Sequence, residues 1–457
     1  MIIVKKNQGY TKATVGLALF LMQFFGLYSR VVAQGQWIPF EDGGVYSSPT
    51  IDLLSSTTSE VTVKVETPGM ESFDIQVEDE TYQRLTIPAG GHTAEVGNPE
   101  LPTIGRFVEI PYGIVPRVIV INCICKTIDG YNVYPFQEPL PDIGIDPQLV
   151  EFKKNNDTYS TDRFYPSKIV ALDQPHTLRG HRIVLIAFYP VQYNPASKKM
   201  KVYSEITVRV EFEGVPIKRA KKNDRFFQPL LHRIILNYEP NPNSTFGTDS
   251  KINKSTLTMD FSSGGADYLI ITHDDFYDNI LPLAQWRLRK GLKTRIATKS
   301  DVEEAGYAWT ADNTWDSTYT GIDGYIKDAY DNWEPAPSYV LLIGDADYLP
   351  THYINNHPYS GEGYKKTATD LYYGAMDDAN DSLSYVPFPD IFIGRLPVDG
   401  TNNDIGIIVN KTLNYEIGPY ILNTDWFTSV LLACQIGRLW HITSNMIYDF
   451  LSAAPYN

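Results

Sequence analysis

The sequence predicts an all-β region followed by an α/β region, a parallel sheet with helices on both faces. Three observations predict it. From Val61 to Phe212, apolar and polar residues alternate in short runs parted by Pro, Gly and Asn. From Ala266 onward, short continuous apolar runs replace that alternation. Amphipathic segments long enough for helices separate those runs, the pattern of a parallel sheet covered on both sides.

The β region begins with "VTVKV" (Val61 to Val65), which alternates at every position. "RLTIP", "RFVEIPYG", "RVIVINCIC", "HRIVLIAFYPVQYNP" and "KVYSEITVRVEFEG" follow as further strands, and a sandwich is the expected packing. Cys123 and Cys125 lie two apart on one of them. An extended i, i+2 pair is poorly placed to bridge, and no second Cys or His cluster suggests zinc, so two buried thiols are expected.

In the α/β region "DYLIIT", "KTRIA", "SYVLLIGD", "PDIFIGRLP" and "FTSVLLACQ" read as strands. Asp278 is placed to cap a helix with Ile280, Leu281, Ala284 and Leu288 on one face, Pro282 in its first turn and Gly291 at its end. "SDVE" (Ser300 to Glu303) and "TGID" (Thr320 to Asp323) resemble capping boxes, the second opening a helix with Ile322, Ile326, Ala329 and Trp333 on one side. "GTNNDIGIIVNKTLNYEIG" and "ITSNMIYDFLSAA" read as helices.

Hydrophobic residues make up 43% of the 457, which excludes global disorder. The net charge of −15 argues against a nucleic-acid partner. Lys5, Lys6 and Lys12 precede an apolar run from Val15 to Leu27, with small residues near Ala33. That run is short for a membrane span and suits a secretory signal peptide, so the product is expected to be exported, extracellular or at the cell surface, with no membrane span after cleavage. The expected division is 1–33 signal peptide, 34–214 β region, 215–262 linker and 263–457 α/β region. Lys218, Arg219, Lys221, Lys222 and Arg225 make the linker basic, open either to processing or to a plain solvated role.

Ligands of such sheets bind beyond the carboxyl ends of the strands. His273, Asp345, Asp347, Arg395 and Gln435 fall there. His273, beside two carboxylates, suits a tuned base, but a solvated loop leading into the next helix is preferred. Asp377, Asp378 and Asp381 offer oxygen ligands that suit Ca²⁺, against a solvated acidic turn. Phosphate-loop, nucleophile-elbow and zincin motifs are missing from the α/β region, so nucleotide, serine-hydrolase and zincin chemistry are not supported. Cys434 and His441 are the thiol and imidazole of a cysteine peptidase, seven residues apart. Cys434 ends an apolar strand run and His441 starts a helix, so the pair is disfavoured as a dyad.

"ADYLIIT", "LAQWRLRKGLKTRIAT", "PSYVLLIGDADYLP", "TDLYYGAMDD", "PDIFIGRLPV" and "DWFTSVLLA", in that order, resemble the gingipain family of secreted bacterial cysteine endopeptidases. "GNPELPTIGRFVEIPYG" (Gly97 to Gly113) and "YPVQYNPASKKMKVYSEITVRVEF" (Tyr189 to Phe212) resemble its propeptide. The resemblance implies a propeptide-like β domain before a caspase-like α/β domain. It implies a Cys thiolate nucleophile with a His acid/base partner, and no required cofactor. The partners it implies are protein or peptide substrates, the chain's own propeptide and type IX secretion machinery. The family places its His and Cys in a later half of the peptidase domain. Neither Cys434 nor His441 matches those positions, so the dyad is expected beyond Asn457 and the chain is expected to be incomplete. Two other readings stay open: a non-enzymatic secreted module whose β domain binds or restrains a peptidase, and a sortase-like relative of type IX secretion.

Overall fold

The structure is a computed structural model that describes residues 2–3, 35–138, 151–218, 222–240, 264–311, 320–355, 366–376, 388–418 and 431–432. The chain divides into two units: Val32–Ile405, and Met1–Val31 together with Gly406–Asn457. In the latter, Ile2–Ile3 pairs antiparallel with Leu431–Leu432, the described part of the strand expected at "FTSVLLACQ". The rest of the expected signal peptide, Cys434, Gln435, His441 and the final expected helix lie outside the described residues, as do Asp377, Asp378 and Asp381. The helix expected after Gly400 runs from Asp404 to Ile417.

The larger unit opens with antiparallel sheets. β1 (Thr50–Ser56), β2 (Glu60–Glu66), β3 (Pro102–Glu109), β4 (Tyr112–Asp129), β5 (His181–Phe188) and β6 (Lys199–Ile217) are its main strands. β6 pairs with Val191–Asn194 and β2 along one edge and with β4 along the other, and β1 extends the sheet beyond β2. β5 and β3 form the centre of a second sheet with Val170–Leu172, His176–Leu178 and Gly91–His92. The alternation seen at Val61 is real: Val61, Val63 and Val65 are fully buried. They meet Val208 and Val210 of β6 and Val184, Ile186 and Phe188 of β5 in one core between the sheets. Each such side chain taken from water contributes roughly 1.5–3 kcal/mol, so this core sets the register.

The two thiols depart from expectation. Cys123 and Cys125 are both exposed and unbridged. Among the described residues β4 pairs only with β6, and its 121–125 stretch is exposed at every residue, so alternation there does not report a buried face.

The stretch read as a polar linker contains a folded part. Helix α1 (Gln228–Ile234) lies within it, and Phe227, Leu231, Ile235 and Tyr238 join Leu178 and Ile183 in a buried cluster. Apolar residues hidden between the basic stretch and the polar run that follows explain the difference.

The α/β part contains β7 (Tyr268–Thr272), α2 (Tyr277–Arg289), β8 (Thr294–Thr298), α3 (Ile322–Asn332), β9 (Tyr339–Ile343) and β10 (Phe392–Leu396). The strands run parallel in the order β8-β7-β9-β10. The chain steps one way from β7 to β8 and back across β7 to β9, so right-handed crossovers put α2 and α3 on opposite faces. Tyr325, Ile326, Ala329 and Tyr330 of α3 pack on Leu269, Ile271, Val340 and Leu342. On α2 the buried residues are Ile280, Leu283 and Ala284, and Leu288 is exposed, so the apolar face is rotated from the expected one.

Three helix starts also differ. Asp274–Phe276 forms a 3₁₀ turn ahead of α2, so Asp278 sits in the first turn rather than at the cap, and Pro282 falls inside the helix. The capping box after β8 pairs Thr298 with Asp301, not Ser300 with Glu303, because the strand ends at Thr298 and its hydroxyl is first to reach the helix amides. Gly321, not Thr320, precedes α3, without a side-chain cap. A Cβ there would meet the Thr310 carbonyl oxygen at 2.4 Å, so close backbone approach selects glycine.

Candidate functional site

Two constellations stand out, one at each end of the parallel sheet. At the carboxyl end, His273 follows β7 directly. Its Nδ1 accepts the Asp275 N–H at 3.3 Å, and its ring packs edge-on to Tyr348, 5.5 Å between centroids. It therefore caps the turn that starts the next helix, with a ring packed on Tyr348 rather than standing in a solvated loop.

Asp345 follows β9. Its Oδ1 accepts the N–H groups of Asp347 and Tyr348, at 3.0 and 3.2 Å, and folds the loop back on itself. Asp347 is exposed at the bend. Gly344 enters that loop at φ +128°, a value that favours glycine, and a Cβ there would sit 2.9 Å from Tyr348 Cβ.

Arg395, on β10, lies beneath this loop. Its Nε and Nη2 reach the two oxygens of Asp370 at 2.8 Å each. Nη1 donates to the carbonyls of Gly344 and Leu349, and Nη2 to that of Pro350. All five of its donors are taken up, two by Asp370 and three by carbonyls of the 344–350 loop, so Arg395 is a clamp rather than a ligand-facing group. A pocket of about 260 Å³ opens nearby, lined in part by Asp275, Phe276, Tyr348, Asn403 and Asp404. The sheet thus brings His273, Asp345 and Arg395 to one end and builds ordered loops there.

The sequence reading missed the second constellation, at the amino-terminal end. Arg179 and Gly180 form the two-residue loop of a hairpin in which Leu178 faces His181. Both have positive φ, +52° and +75°, as a type I′ hairpin needs. Arg179 is fully buried. Its N–H donates to Asp390 Oδ1 at 2.5 Å, and Nη1 to the carbonyls of Pro337 (2.7 Å) and Asp390 (3.1 Å). Nη2 donates to Ser338 Oγ (2.9 Å) and the Ala336 carbonyl (3.4 Å), and Nε to the Asn223 carbonyl (3.0 Å). The rings of Phe227 and Tyr330 each lie 5.2 Å from the guanidinium carbon. Burial holds the Arg179 pKa below its ordinary value, while Tyr330 and Asp390 act in the opposite direction.

The basic run and the stretch after it brace this contact. Lys222 donates to the Tyr330 carbonyl at 2.8 Å, and Phe227 stacks on Phe392 with centroids 4.1 Å apart. Asp224, also fully buried, accepts from the Tyr238 hydroxyl at 2.5 Å and lies 3.3 Å from His181 Nε2. On its other side, His181 Nδ1 is 3.2 Å from Glu109 Oε2. Burial, with the Asp224 contact second, pushes the Tyr238 hydroxyl pKa up.

Among the described residues no cluster of three His, Cys, Asp or Glu side chains could hold a metal ion, and no helix is long and apolar enough to cross a membrane.

The model of Peptidase family C25 matches residues 261–448, and the model Propeptide_C25 matches residues 43–246. Gingipain R1 of Porphyromonas gingivalis is 25% identical over 378 residues, 81% of this chain and 33% of its own length. Lys-gingipain W83 of the same organism is 25% identical over 383 residues, 81% of this chain and 20% of its own. The chain thus spans about a third or less of these two relatives. Among solved structures, the complex of Porphyromonas gingivalis RgpB pro- and mature domains matches 41% of this chain and 98% of that one, with 24% identity and a TM-score of 0.37. At that score the likeness adds nothing to the fold described above.

Proposed function

Because the chain belongs to the gingipain family, that of peptidase family C25, we propose that it is the precursor of a secreted cysteine endopeptidase. A β-rich proregion precedes and restrains the α/β peptidase part. The observation that carries this reading is the order of the two family matches, propeptide at 43–246 and then peptidase at 261–448. The change from antiparallel sheets to a parallel sheet falls between the same two stretches and supports it. So do the ordered loops at the carboxyl end of that sheet, where chemistry belongs in such folds.

In this reading a thiolate attacks the scissile carbonyl of a protein or peptide substrate. An imidazole returns the proton to the leaving amine, and backbone amides hold the oxyanion. Cys434 and His441 are not assigned as that pair. The reaction needs no cofactor. Calcium at Asp377, Asp378 and Asp381 would be an accessory ion, its removal lowering the unfolding temperature without stopping the chemistry. Export through type IX secretion machinery belongs to the same proposal.

The test is hydrolysis of protein substrate by the product of the whole reading frame, before and after proteolytic cutting between residues 241 and 263. Cutting should raise the rate, iodoacetamide should abolish it, and Cys434→Ala should leave it unchanged. Turnover that survives thiol alkylation would sink the cysteine mechanism.

A further inference from the structure

The Arg179 contact has the form of a ligand in a built site. Everything that receives the guanidinium at its sheet-facing side belongs to the α/β part: the carbonyls of Ala336, Pro337 and Asp390, and the hydroxyl of Ser338. Ser338 and Asp390 are 3% and 1% exposed with Arg179 in place, and Asp390 is also held from the α/β part itself, donating its N–H to the Gly374 carbonyl and accepting the Met376 N–H at Oδ2. Tyr330 of α3 supplies one aromatic wall. The Asn223 carbonyl, within the basic run, and Phe227, just after it, complete the surroundings. Ala336–Ser338 leads into β9 and Asp390 into β10, so the site sits at the amino-terminal edge of the sheet. Five strand residues, roughly 15 Å, separate it from the carboxyl-end loops.

We propose that Ala336, Pro337, Ser338 and Asp390 form an arginine-selective docking site at the amino-terminal edge of the parallel sheet, whose ligand is a guanidinium displayed on a tight turn. Arg179 fills it within the chain and anchors the β region. After a cut between residues 241 and 263 the anchor becomes exchangeable, and an arginine side chain from another peptide competes for the same place. This rests on the proregion reading only for when the cut occurs in nature, since docking itself requires no catalysis.

Selectivity follows from donor geometry. The five guanidinium N–H groups all find partners. A lysine ammonium offers three donors from one point and cannot reach this spread of acceptors. When Arg179 leaves, the acceptors it satisfied must be hydrated or filled by another donor, and that drives rebinding of arginine rather than of an apolar group.

The experiment uses the full chain with a site-specific protease sequence inserted between residues 241 and 262. After cutting, the two pieces of the wild type should co-elute on size exclusion. Nα-acetyl-arginine amide at tens of millimolar should speed their separation at least 10-fold, and Nα-acetyl-lysine amide at the same concentration should not. Arg179→Lys should weaken association at least 10-fold, and Ser338→Ala should weaken it several-fold while leaving the uncut circular dichroism spectrum unchanged. Equal effects of the two amides, or an Arg179→Lys pair that holds together as tightly as the wild type, would overturn the site. If Arg179→Lys fails to fold before cutting, the amide competition and Ser338→Ala still decide. The readout involves no turnover, so the peptidase reading can fail while this site stands, and the reverse.

Discussion

Arg395 and Asp370 meet side-on, with two nitrogen–oxygen contacts of 2.8 Å, and the pair lies mostly out of solvent at 12% and 23% side-chain exposure. The remaining donors of Arg395 hold three carbonyls of the 344–350 loop. Removing one partner strands the other with little water to replace it. Arg395→Ala should cost about 3 kcal/mol in urea unfolding. Arg395→Lys should recover only part of that, because one ammonium cannot serve a carboxylate and three carbonyls at once.

Asp267, just ahead of β7, accepts the Lys293 N–H at 2.9 Å. Burial, partly offset by that hydrogen bond and by Arg225, Lys293 and Arg179, raises its pKa above 3.8. The folded form therefore holds the proton more tightly than the unfolded one. Its contribution is most favourable at low pH and declines as pH rises from about 3.8 through the folded value. Asp267→Asn keeps an acceptor for Lys293 and removes the buried charge. At pH 7 the variant should match or exceed the wild type in unfolding temperature, and by pH 3 any advantage should vanish. A variant less stable at pH 7 than at pH 3, relative to wild type, would show that charge pairing outweighs burial.

Burial also raises Tyr165, Tyr193 and Tyr203 from 10.0 to about 12. An acid raised on folding gives up its proton first in the unfolded chain. The associated stability is intact below pH 10 and falls as pH climbs toward 12. Guanidinium unfolding midpoints should therefore drop steadily between pH 10 and 12. Tyr193→Phe should flatten that slope, and at neutral pH it should cost about 1 kcal/mol for the lost hydrogen bond to the Tyr131 carbonyl.

Cys123 and Cys125 stand exposed on β4 without a bridge. In the native state both should react with Ellman's reagent within minutes and without denaturant. Cys123→Ser and Cys125→Ser should change stability by no more than about 0.5 kcal/mol, as expected of surface positions. Slow labelling that needs urea would instead restore the buried placement that alternation in "VINCIC" implied.

What could be read in advance follows from the range of the forces involved. "DYLIIT" and "SYVLLIGD" announce parallel strands because both of their faces are covered, so nearly every residue must be apolar. Val61 to Val65 announces a half-buried strand for the matching reason. Arg179 announced nothing, since its partner Asp390 is 211 residues away and a single arginine in a turn is unremarkable composition. The exposure of Cys123 depends on which strand occupies a sheet edge, and the burial of Phe227 on what packs over it, and neither is local. At the candidate site, the position of Arg395 at a strand end was legible, while its employment as a clamp depends on Asp370, fixed only by the fold.

The helix start after β8 offers the finest discrimination between local pattern and structure. Both Thr298 and Ser300 carry hydroxyls three residues ahead of an acid, Asp301 and Glu303. Thr298 is the cap: its hydroxyl accepts the Asp301 N–H at 3.3 Å, and Asp301 accepts the Thr298 N–H at 2.8 Å. Strand β8 pins the Thr298 backbone through its parallel pairing with Thr272, whereas Ser300 already lies within the helix. Thr298→Ala should therefore cost about 1 kcal/mol. Ser300→Ala should cost no more than about 0.5 kcal/mol, the scale of a surface change. The reverse ranking in parallel denaturant titrations would move the helix start two residues on and refute the reciprocal Thr298–Asp301 pair.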